Sequence, residues 1–300
     1  MTRTKKESIQ SSDHQYRHTL STSTTPLVVG IQGIRGSYHH QVAQAFFGDE
    51  VIVDECLSFQ DVVKSLETGK STDAVMAIEN SIAGSIIPNY AYIDEHNLEI
   101  VGEYFLPIHH CLMVLKGQTI LDVKEVYSHP MALLQCKDFF RQHEHIKLVE
   151  DVDTADVARR IQEKKLQGIG AVAGAGAARI YNLQILAEEI QTIKSNATRF
   201  FILKGNNSPK RDKSEVNKAS IKFYTDHKRG SLATVLNVMS DCNLNLTKIQ
   251  SLPIIDEPWR YSFFVDITFD VYENYRKAIS ILEIMAYNLK ILGEYKNQNR

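Results

Sequence analysis

The chain has 300 residues, of which 43% are apolar and 23% are charged, and its formal net charge is -2 at pH 7. These proportions are typical of a folded protein with enough residues for two or three compact units. The near-neutral charge, without a long basic block, argues against nucleic acid as a partner. No apolar run approaches the roughly 20 residues that span a bilayer, so we expect a soluble protein that binds a small molecule.

The N-terminal segment and the cysteines indicate where the protein works. Residues 1–26 are rich in Ser, Thr and charge and poor in apolar side chains, which predicts a disordered tail. An organelle transit peptide is the alternative, although Glu7 and Asp13 argue against it. The four cysteines are widely spaced and form no C-x-x-C pair. They therefore predict reduced core residues of a cytoplasmic protein, with neither disulfides nor a thiolate metal site.

Short apolar runs alternate with amphipathic helices between residues 27 and 205, which predicts an α/β unit with a largely parallel sheet. The predicted strands are, in chain order, 27–31, 73–78, 98–106, 109–115, 125–129, 147–151, 168–174 and 197–203. The predicted helices are 36–48, one from Ser58 to a stop at Gly69, 89–97, 131–142, 155–165 with Thr154 as its cap, and 175–182. We expect the chain to cross into a second lobe near 100–110 and to return near 190–200.

The last third of the chain predicts a separate domain. Residues 206–217 are polar, with Pro and Lys, and read as a linker. From 218 to 300 the pattern gives strand 219–225, helix 230–241, strands 244–252 and 261–269, helix 272–288 and strand 289–295. This βαββαβ order is typical of a ferredoxin-like domain.

Four segments share one design, in which a strand ends in a turn of small or polar residues that opens a helix. They are residues 33–38, 79–85, 128–136 and 195–200. Ligands of open α/β sheets bind at this edge, and N–H groups at helix starts favour carboxylates. The alternative is that Ser and Asn in these turns only cap helices.

Taken together, these segments resemble prephenate dehydratase in the form that carries a C-terminal ACT regulatory domain. IENSIAGSI, SHPMALLQC and NATRFFIL are similar to the family's ENS-x-x-GS, SHP-x-AL-x-QC and TRF segments, and NLTKIQSLP is similar to its ACT segment. The resemblance covers about residues 27 to 300. It implies a two-lobed catalytic unit like periplasmic binding proteins over 27–205 and an ACT domain over 218–300. The implied reaction is the conversion of prephenate to phenylpyruvate in L-phenylalanine biosynthesis, without metal or cofactor.

The resemblance also implies roles for individual residues. Thr198 is the expected proton donor to the hydroxyl that leaves prephenate, and Arg199 is either a neighbouring anion partner or a structural anchor. The residues expected to bind substrate are Arg35, Ser37, Tyr38, Glu79, Asn80, Ser81, Ser128, Gln135, Arg199 and Phe200. His39 stands where the family usually has serine, and could alter the pH response.

L-phenylalanine is the effector that the resemblance implies, in a homodimer or homotetramer. The expected effector residues are Gly230, Ser231, Leu232, Asn245, Leu246, Gln250 and Leu252. Two of them depart from the family pattern, because Gln250 and Leu252 stand where the family has Glu and Arg. Leu252 cannot form an ion pair, which leaves the effect of phenylalanine open.

Two other functions stay open at this point. Arogenate dehydratase performs the same chemistry on the transaminated substrate, and the motifs do not separate it from prephenate dehydratase. The second alternative is a non-catalytic sensor of aromatic amino acids, against which the intact TRF segment argues. A metal site is not predicted, since His109 and His110 are neighbours on a predicted strand and point to opposite faces.

Overall fold

The protein is described by a computed structural model that covers residues 26–205, 215–254 and 257–298. The predicted tail 1–26 and linker 206–217 lie almost wholly outside these residues. The strands are β1 (Val28–Gln32), β2 (Ile52–Cys56), β3 (Asp73–Asn80), β4 (Gly84–Ser85), β5 (Glu99–Pro107), β6 (Cys111–Val114), β7 (Glu125–Ser128), β8 (Lys147–Glu150), β9 (Ile169–Ala173), β10 (Gln184–Ala187), β11 (Ala197–Lys204), β12 (Lys218–Tyr224), β13 (Asn245–Ile254), β14 (Glu257–Thr268) and β15 (Tyr287–Tyr295). The helices are α1 (Tyr38–Phe47), α2 (Phe59–Glu67), α3 (Ile87–Glu95), α4 (Pro130–Gln135), α5 (Lys137–Phe140), α6 (Thr154–Lys164), α7 (Ala175–Ile180), α8 (Ser231–Asp241) and α9 (Tyr272–Met285), with a 3₁₀ turn at Ile120–Asp122.

Two sheets form two lobes. In the first lobe the strand order is β2-β1-β3-β11-β5, with β4 beside β3. Strands β2, β1 and β3 run parallel, whereas β11 is antiparallel to both of its neighbours. In the second lobe the order is β10-β6-β9-β7-β8. Because β11 returns to the first sheet after the second lobe is complete, the start of β11 lies where the lobes meet.

The third sheet belongs to a C-terminal unit formed by strands β12 to β15 and helices α8 and α9. Its order is β13-β14-β12-β15, and all of its pairings are antiparallel. Helix α9 covers one face through Tyr275, Ala278, Ile279 and Leu282, all of them buried. The element order βαββαβ, the two lobes and the mixed α/β class confirm the fold predicted from the sequence.

The structure also differs from the sequence predictions in local detail. Strands β2, β4 and β10 were not predicted. The predicted helix 131–142 is two short helices that meet at Cys136. Helix α6 is capped by Asp153, whose carboxylate accepts from the amides of Ala155 and Asp156, rather than by Thr154. The prediction placed the cap one residue too late because Asp and Thr are both good caps.

The C-terminal unit packs its other face on the first lobe. Phe264, Leu252 and Leu292 from the C-terminal sheet share one buried apolar cluster with Ile100 and Phe201 of the first lobe. At Gly293 the two units come so close that an added Cβ would lie 2.0 Å from the carbonyl oxygen of Ile100. Any larger residue at this position would push the units apart.

Buried charges cross the same interface. Arg199 of β11 pairs with Glu103 of β5 at 2.7 Å and with Asp266 of β14. Lys218 of β12 donates to Glu103 at 2.8 Å. The side chains of all four are at most 6% exposed, and the two positive and two negative charges balance. A buried ion pair of this kind is costly to break, because the surviving partner keeps its charge without water or a counter-ion.

Replacing Asp266 by Asn removes one negative charge from this interface and leaves Glu103 as the one carboxylate, among the described residues, that pairs with Arg199 and Lys218. We expect Asp266→Asn to lower the free energy of unfolding by about 3 to 5 kcal/mol. Urea unfolding of the two proteins measures the difference. The matched control is Asp138→Asn, which breaks the exposed pair with Arg141 and should change the midpoint little. Equal midpoints for all three proteins would contradict a stabilising role for the buried charges.

Candidate active site

Side chains at the start of strand β11 lie on both faces of the first sheet. In its pairing with β3, Thr198 lies opposite Asn80 and Arg199 lies opposite Glu79. Directly opposed residues project to the same face of a sheet, and neighbours along a strand project to opposite faces. Thr198 and Asn80 therefore share the face toward the second lobe, and Arg199 and Glu79 share the face toward the C-terminal unit.

Asn80 connects the Thr198 hydroxyl to its surroundings. Its amide nitrogen donates to Thr198 Oγ1 at 2.9 Å, to Asn196 Oδ1 at 2.8 Å and, more weakly, to the Ala197 carbonyl at 3.2 Å. Its amide oxygen accepts from the backbone N–H groups of Ile82 and Ala83. Since a backbone N–H can only donate, the orientation of the Asn80 amide is determined by the turn that follows it.

The hydrogen bonds continue across the gap between the lobes. Asn196 Nδ2 donates to Gln135 Oε1 at 2.9 Å, and the same oxygen lies 2.9 Å from His110 Nε2. His110 Nδ1 lies 2.8 Å from the hydroxyl of Tyr38. The polar network, as we call these residues, consists of Tyr38, Asn80, His110, Gln135, Asn196 and Thr198. It joins the ENS, SHP and TRF segments and the start of α1.

The ionisable members of the polar network are neutral. Burial lowers the pKa of His110, which is 3% exposed, and burial raises the pKa of Tyr38 well above its usual range. Near neutral pH the imidazole is therefore uncharged and the phenol keeps its proton. His39 lies outside the network, where burial lowers its pKa to about 3 and its Nε2 accepts from the amide of Ala77. His39 is a neutral core residue, so the expected effect on pH response is wrong.

The Thr198 hydroxyl accepts a hydrogen bond but does not donate one within the described residues. Thr198 is 9% exposed, and its oxygen accepts from Asn80. Among the residues that the structure describes, no acceptor takes its proton. This arrangement leaves the O–H bond directed away from Asn80, available to an acceptor bound between the lobes.

Three predicted substrate residues point elsewhere. Arg199 and Glu79 are held by charges of the C-terminal unit, Arg199 by Asp266 and Glu79 by Lys248. Phe200 is 1% exposed in the core of the first lobe. The expectation that these three residues contact substrate is corrected: Arg199 is the structural anchor of the two roles left open by the sequence, and Glu79 has the same role on β3.

Two predicted serines have structural roles. Ser128 is fully buried, and its hydroxyl donates to the carbonyl of Val172 at 2.6 Å. Ser37 caps α1 by accepting from the amide of His40 at 3.2 Å and is 5% exposed. For Ser128 the expected contact with substrate is wrong because its hydroxyl is enclosed in the second sheet. For Ser37 the capping alternative holds.

The remaining predicted residues lie close to the polar network or at the turn before α1. Ser81 is exposed, and its hydroxyl accepts from the amide of Ala197 at 3.0 Å. Arg35 is exposed in the turn before α1, where its backbone amide donates to Glu55. Its side chain has no ion pair within the described ranges, so the guanidinium is available to an anion.

The sequence analysis missed two members of the polar network, His110 and Asn196. Asn196 is the residue two before Thr198, so the alternation of β11 already placed it on the same face. His110 was considered only as a metal ligand. Its signal was its position at the crossover between lobes, where a buried polar side chain needs partners.

The expected effector residues are divided in the structure. Gly230, Ser231 and Leu232 belong to the residues 225–233 that line a cavity of about 530 Å³. Asn245, Leu246 and Gln250 lie on β13 and do not line this cavity. Leu252 is 7% exposed and packs in the apolar cluster shared with the first lobe. Its predicted effector role is corrected to a packing role.

In the ranges that the structure covers, no three His, Cys, Asp or Glu side chains are grouped so that they could hold a metal ion. The helices described there are all too short or too polar to cross a bilayer.

Comparison with known proteins places this site in a family. Residues 29–208 match the prephenate dehydratase family. Arogenate dehydratase 2 of Petunia hybrida is 35% identical over 296 residues, which cover 93% of this chain and 74% of that protein. Two solved structures, each 25% identical, superpose well. The prephenate dehydratase of Staphylococcus aureus has a TM-score of 0.77 over 90% of this chain and 100% of its own. GqqA, described as a novel type of quorum quenching acylase, has a TM-score of 0.81 over 91% of this chain and 99% of its own.

Proposed function

The chain belongs to the prephenate dehydratase family, and we propose that it converts prephenate to phenylpyruvate, a step of L-phenylalanine biosynthesis. The observation that carries this proposal is the state of the Thr198 hydroxyl. Its oxygen accepts from Asn80 and its own proton has no protein acceptor among the described residues, while Asn80 also donates to Asn196, which in turn donates to Gln135 of the opposite lobe. A substrate hydroxyl placed between the lobes meets one positioned proton donor and several neutral amides.

The reaction needs little more than this donor. The ring C–O bond breaks, its electron pair stays on the oxygen, and Thr198 supplies the proton that makes the leaving group water. The bond between the ring and its carboxylate also breaks. Carbon dioxide is released, and the electron pair of that bond stays in the ring, which becomes aromatic. One proton taken up from solvent then restores the Thr198 hydroxyl, so that each turnover consumes one proton in addition to the prephenate dianion. An alcohol is a weak acid, so donation is favourable only while the leaving oxygen gains negative charge.

Variants at Thr198 test this step. Thr198→Val keeps the branched shape but has no hydroxyl, and we expect kcat to fall about 100- to 10,000-fold, the usual contribution of a positioned acid. Thr198→Ala should fall within the same range. Thr198→Ser keeps the hydroxyl and is the matched control, expected within about tenfold of the wild type. Formation of phenylpyruvate from prephenate measures all four proteins, and full activity in Thr198→Val would remove Thr198 from the mechanism.

Substrate choice follows from the charges in the site. Arogenate carries an ammonium group where prephenate carries a keto group. An ammonium group that gives up its hydration shell on entering the site needs a carboxylate partner. The polar network contains no carboxylate, since Glu79 faces Lys248 on the other side of the sheet. The relative from Petunia hybrida is named an arogenate dehydratase, so both substrates are candidates.

We expect kcat/KM for prephenate to exceed that for arogenate, because the neutral amides of the polar network accommodate a keto group without an unpaired charge. Steady-state rates with each substrate give the ratio. A higher kcat/KM with arogenate would reassign the enzyme as an arogenate dehydratase. If the protein turned over neither prephenate nor arogenate but still bound phenylalanine, the non-catalytic sensor would be favoured.

We extend the proposal to regulation by L-phenylalanine through the C-terminal unit, which has the βαββαβ order of an ACT domain. The cavity along residues 225–233 is large enough for one amino acid. A homodimer or homotetramer is proposed as well, supported by the free edge of β13, where Leu246 and Ile249 are exposed. A cytoplasmic location suits the four buried, unpaired cysteines.

Filling the cavity tests the effector site. Ala233 is exposed on its wall, and Ala233→Trp adds an indole there. We expect the Kd for phenylalanine, measured by calorimetry, to rise at least about tenfold because the ligand must compete for the same volume. The control is Ser280→Trp on the outer side of α9, which should leave the Kd unchanged. An unchanged Kd in Ala233→Trp would place the effector elsewhere.

A further inference from the structure

His110 lies where the chain passes from the first lobe to the second. It precedes β6 and is 3% exposed, and its backbone carbonyl accepts from the amide of Ile190 at 2.9 Å. Its backbone amide donates to Gln191 Oε1 at 2.9 Å. Its ring nitrogens lie 2.8 Å from the Tyr38 hydroxyl and 2.9 Å from Gln135 Oε1. The imidazole therefore joins α1 of the first lobe to α4 of the second.

The tautomer of His110 follows from the direction of the hydrogen bonds. The backbone amides of Ile82 and Ala83 donate to Asn80 Oδ1, so the nitrogen of Asn80 is the donor to Asn196 Oδ1. The nitrogen of Asn196 is then the donor to Gln135 Oε1. An oxygen in this position faces the imidazole at 2.9 Å, so Nε2 must carry the proton. Nδ1 is left as the acceptor, and the single proton of the Tyr38 hydroxyl goes to it at 2.8 Å in preference to the His109 carbonyl oxygen at 3.0 Å, because Nδ1 is the nearer acceptor and has no other donor.

The opposite tautomer would be unfavourable. With the proton on Nδ1, the lone pair of Nε2 would face the lone pairs of Gln135 Oε1 and would have no donor, although the Tyr38 hydroxyl could then accept from Nδ1 and donate to the His109 carbonyl at 3.0 Å. Rotating the Gln135 amide would relieve this contact but would turn its NH₂ group toward the NH₂ group of Asn196. The sequence of donors and acceptors therefore admits one arrangement, which begins at the backbone of the ENS turn and ends at Tyr38.

We propose that His110 is a positioning residue for the dehydratase reaction. In its Nε2–H form the imidazole donates to the side-chain carbonyl of Gln135 and so fixes the orientation of that amide. The Gln135 NH₂ group is thereby directed into the space between the lobes. In the part of the chain that the structure covers, that NH₂ group has no protein acceptor, so it is available to a carboxylate or carbonyl of the substrate. His110 does not touch the substrate and acts through Gln135. The inference rests on the proposed function, because it names a further residue of the same site.

Two substitutions separate the ring nitrogens of His110. Glutamine places its amide nitrogen near the position of Nε2, so His110→Gln keeps a donor for Gln135. Asparagine reaches only the position of Nδ1, so His110→Asn loses that donor. We expect His110→Asn to lower kcat/KM for prephenate about tenfold to hundredfold, mainly through a higher KM. His110→Gln should stay within about threefold of the wild type, and His109→Asn, at the exposed neighbour, serves as the surface control.

The outcomes distinguish the two proposals. A wild-type protein that forms no phenylpyruvate contradicts the proposed function itself. An active wild type with equal kcat/KM in His110→Asn and His110→Gln overturns the role of the Nε2 donor. A purely structural role would lower the melting temperature of both variants and would not restore activity in the glutamine variant alone. If both variants fail to fold, the ¹⁵N chemical shifts of His110 in the wild type decide, because a proton on Nδ1 instead of Nε2 overturns the inference.

Discussion

The alternation of side chains along β11 is the constraint on which this structure depends. One residue of the strand, Thr198, faces the gap between the lobes, and the next, Arg199, faces the C-terminal unit. A slip of one residue in the register with β3 would exchange the two faces. It would bury the hydroxyl against the C-terminal sheet and put the guanidinium among the amides. The buried ion pairs of Arg199 oppose this slip, because after the slip Arg199 would no longer reach its two carboxylate partners.

The same strand explains how the C-terminal unit bears on the site. Asn80 and Thr198 are paired on one face, and Glu79 and Arg199, the adjacent pair, are held by Lys248 and Asp266 on the other. A change in the C-terminal unit that moved Lys248 or Asp266 would act on the strand positions next to the Thr198 hydroxyl. On the other face of the strand, the lobes are joined through the uncharged groups of the polar network.

Much of this could be predicted from the sequence, and the failures have a common cause. Alternating apolar runs gave the α/β lobes and the βαββαβ unit, and the motifs brought Asn80, Gln135 and Thr198 to one place. A motif does not show which face a side chain occupies. Arg199, Glu79 and Ser128 were assigned to the substrate because they adjoin residues of the same motifs, two of which, Asn80 and Thr198, face the gap between the lobes. Leu252 was assigned to the effector site because the residues it packs against, such as Phe201, are distant in sequence and a motif does not show them.

The most direct test of the central claim is a crystal structure with an unreactive substrate analogue that keeps the ring hydroxyl. The account predicts Thr198 Oγ1 within hydrogen-bonding distance of that hydroxyl, about 2.5 to 3.0 Å, with Asn80 still donating to Thr198 and Arg199 still paired with Asp266. An analogue bound between the lobes with its hydroxyl beyond the reach of Thr198, or bound by the Arg199 side chain, would contradict it.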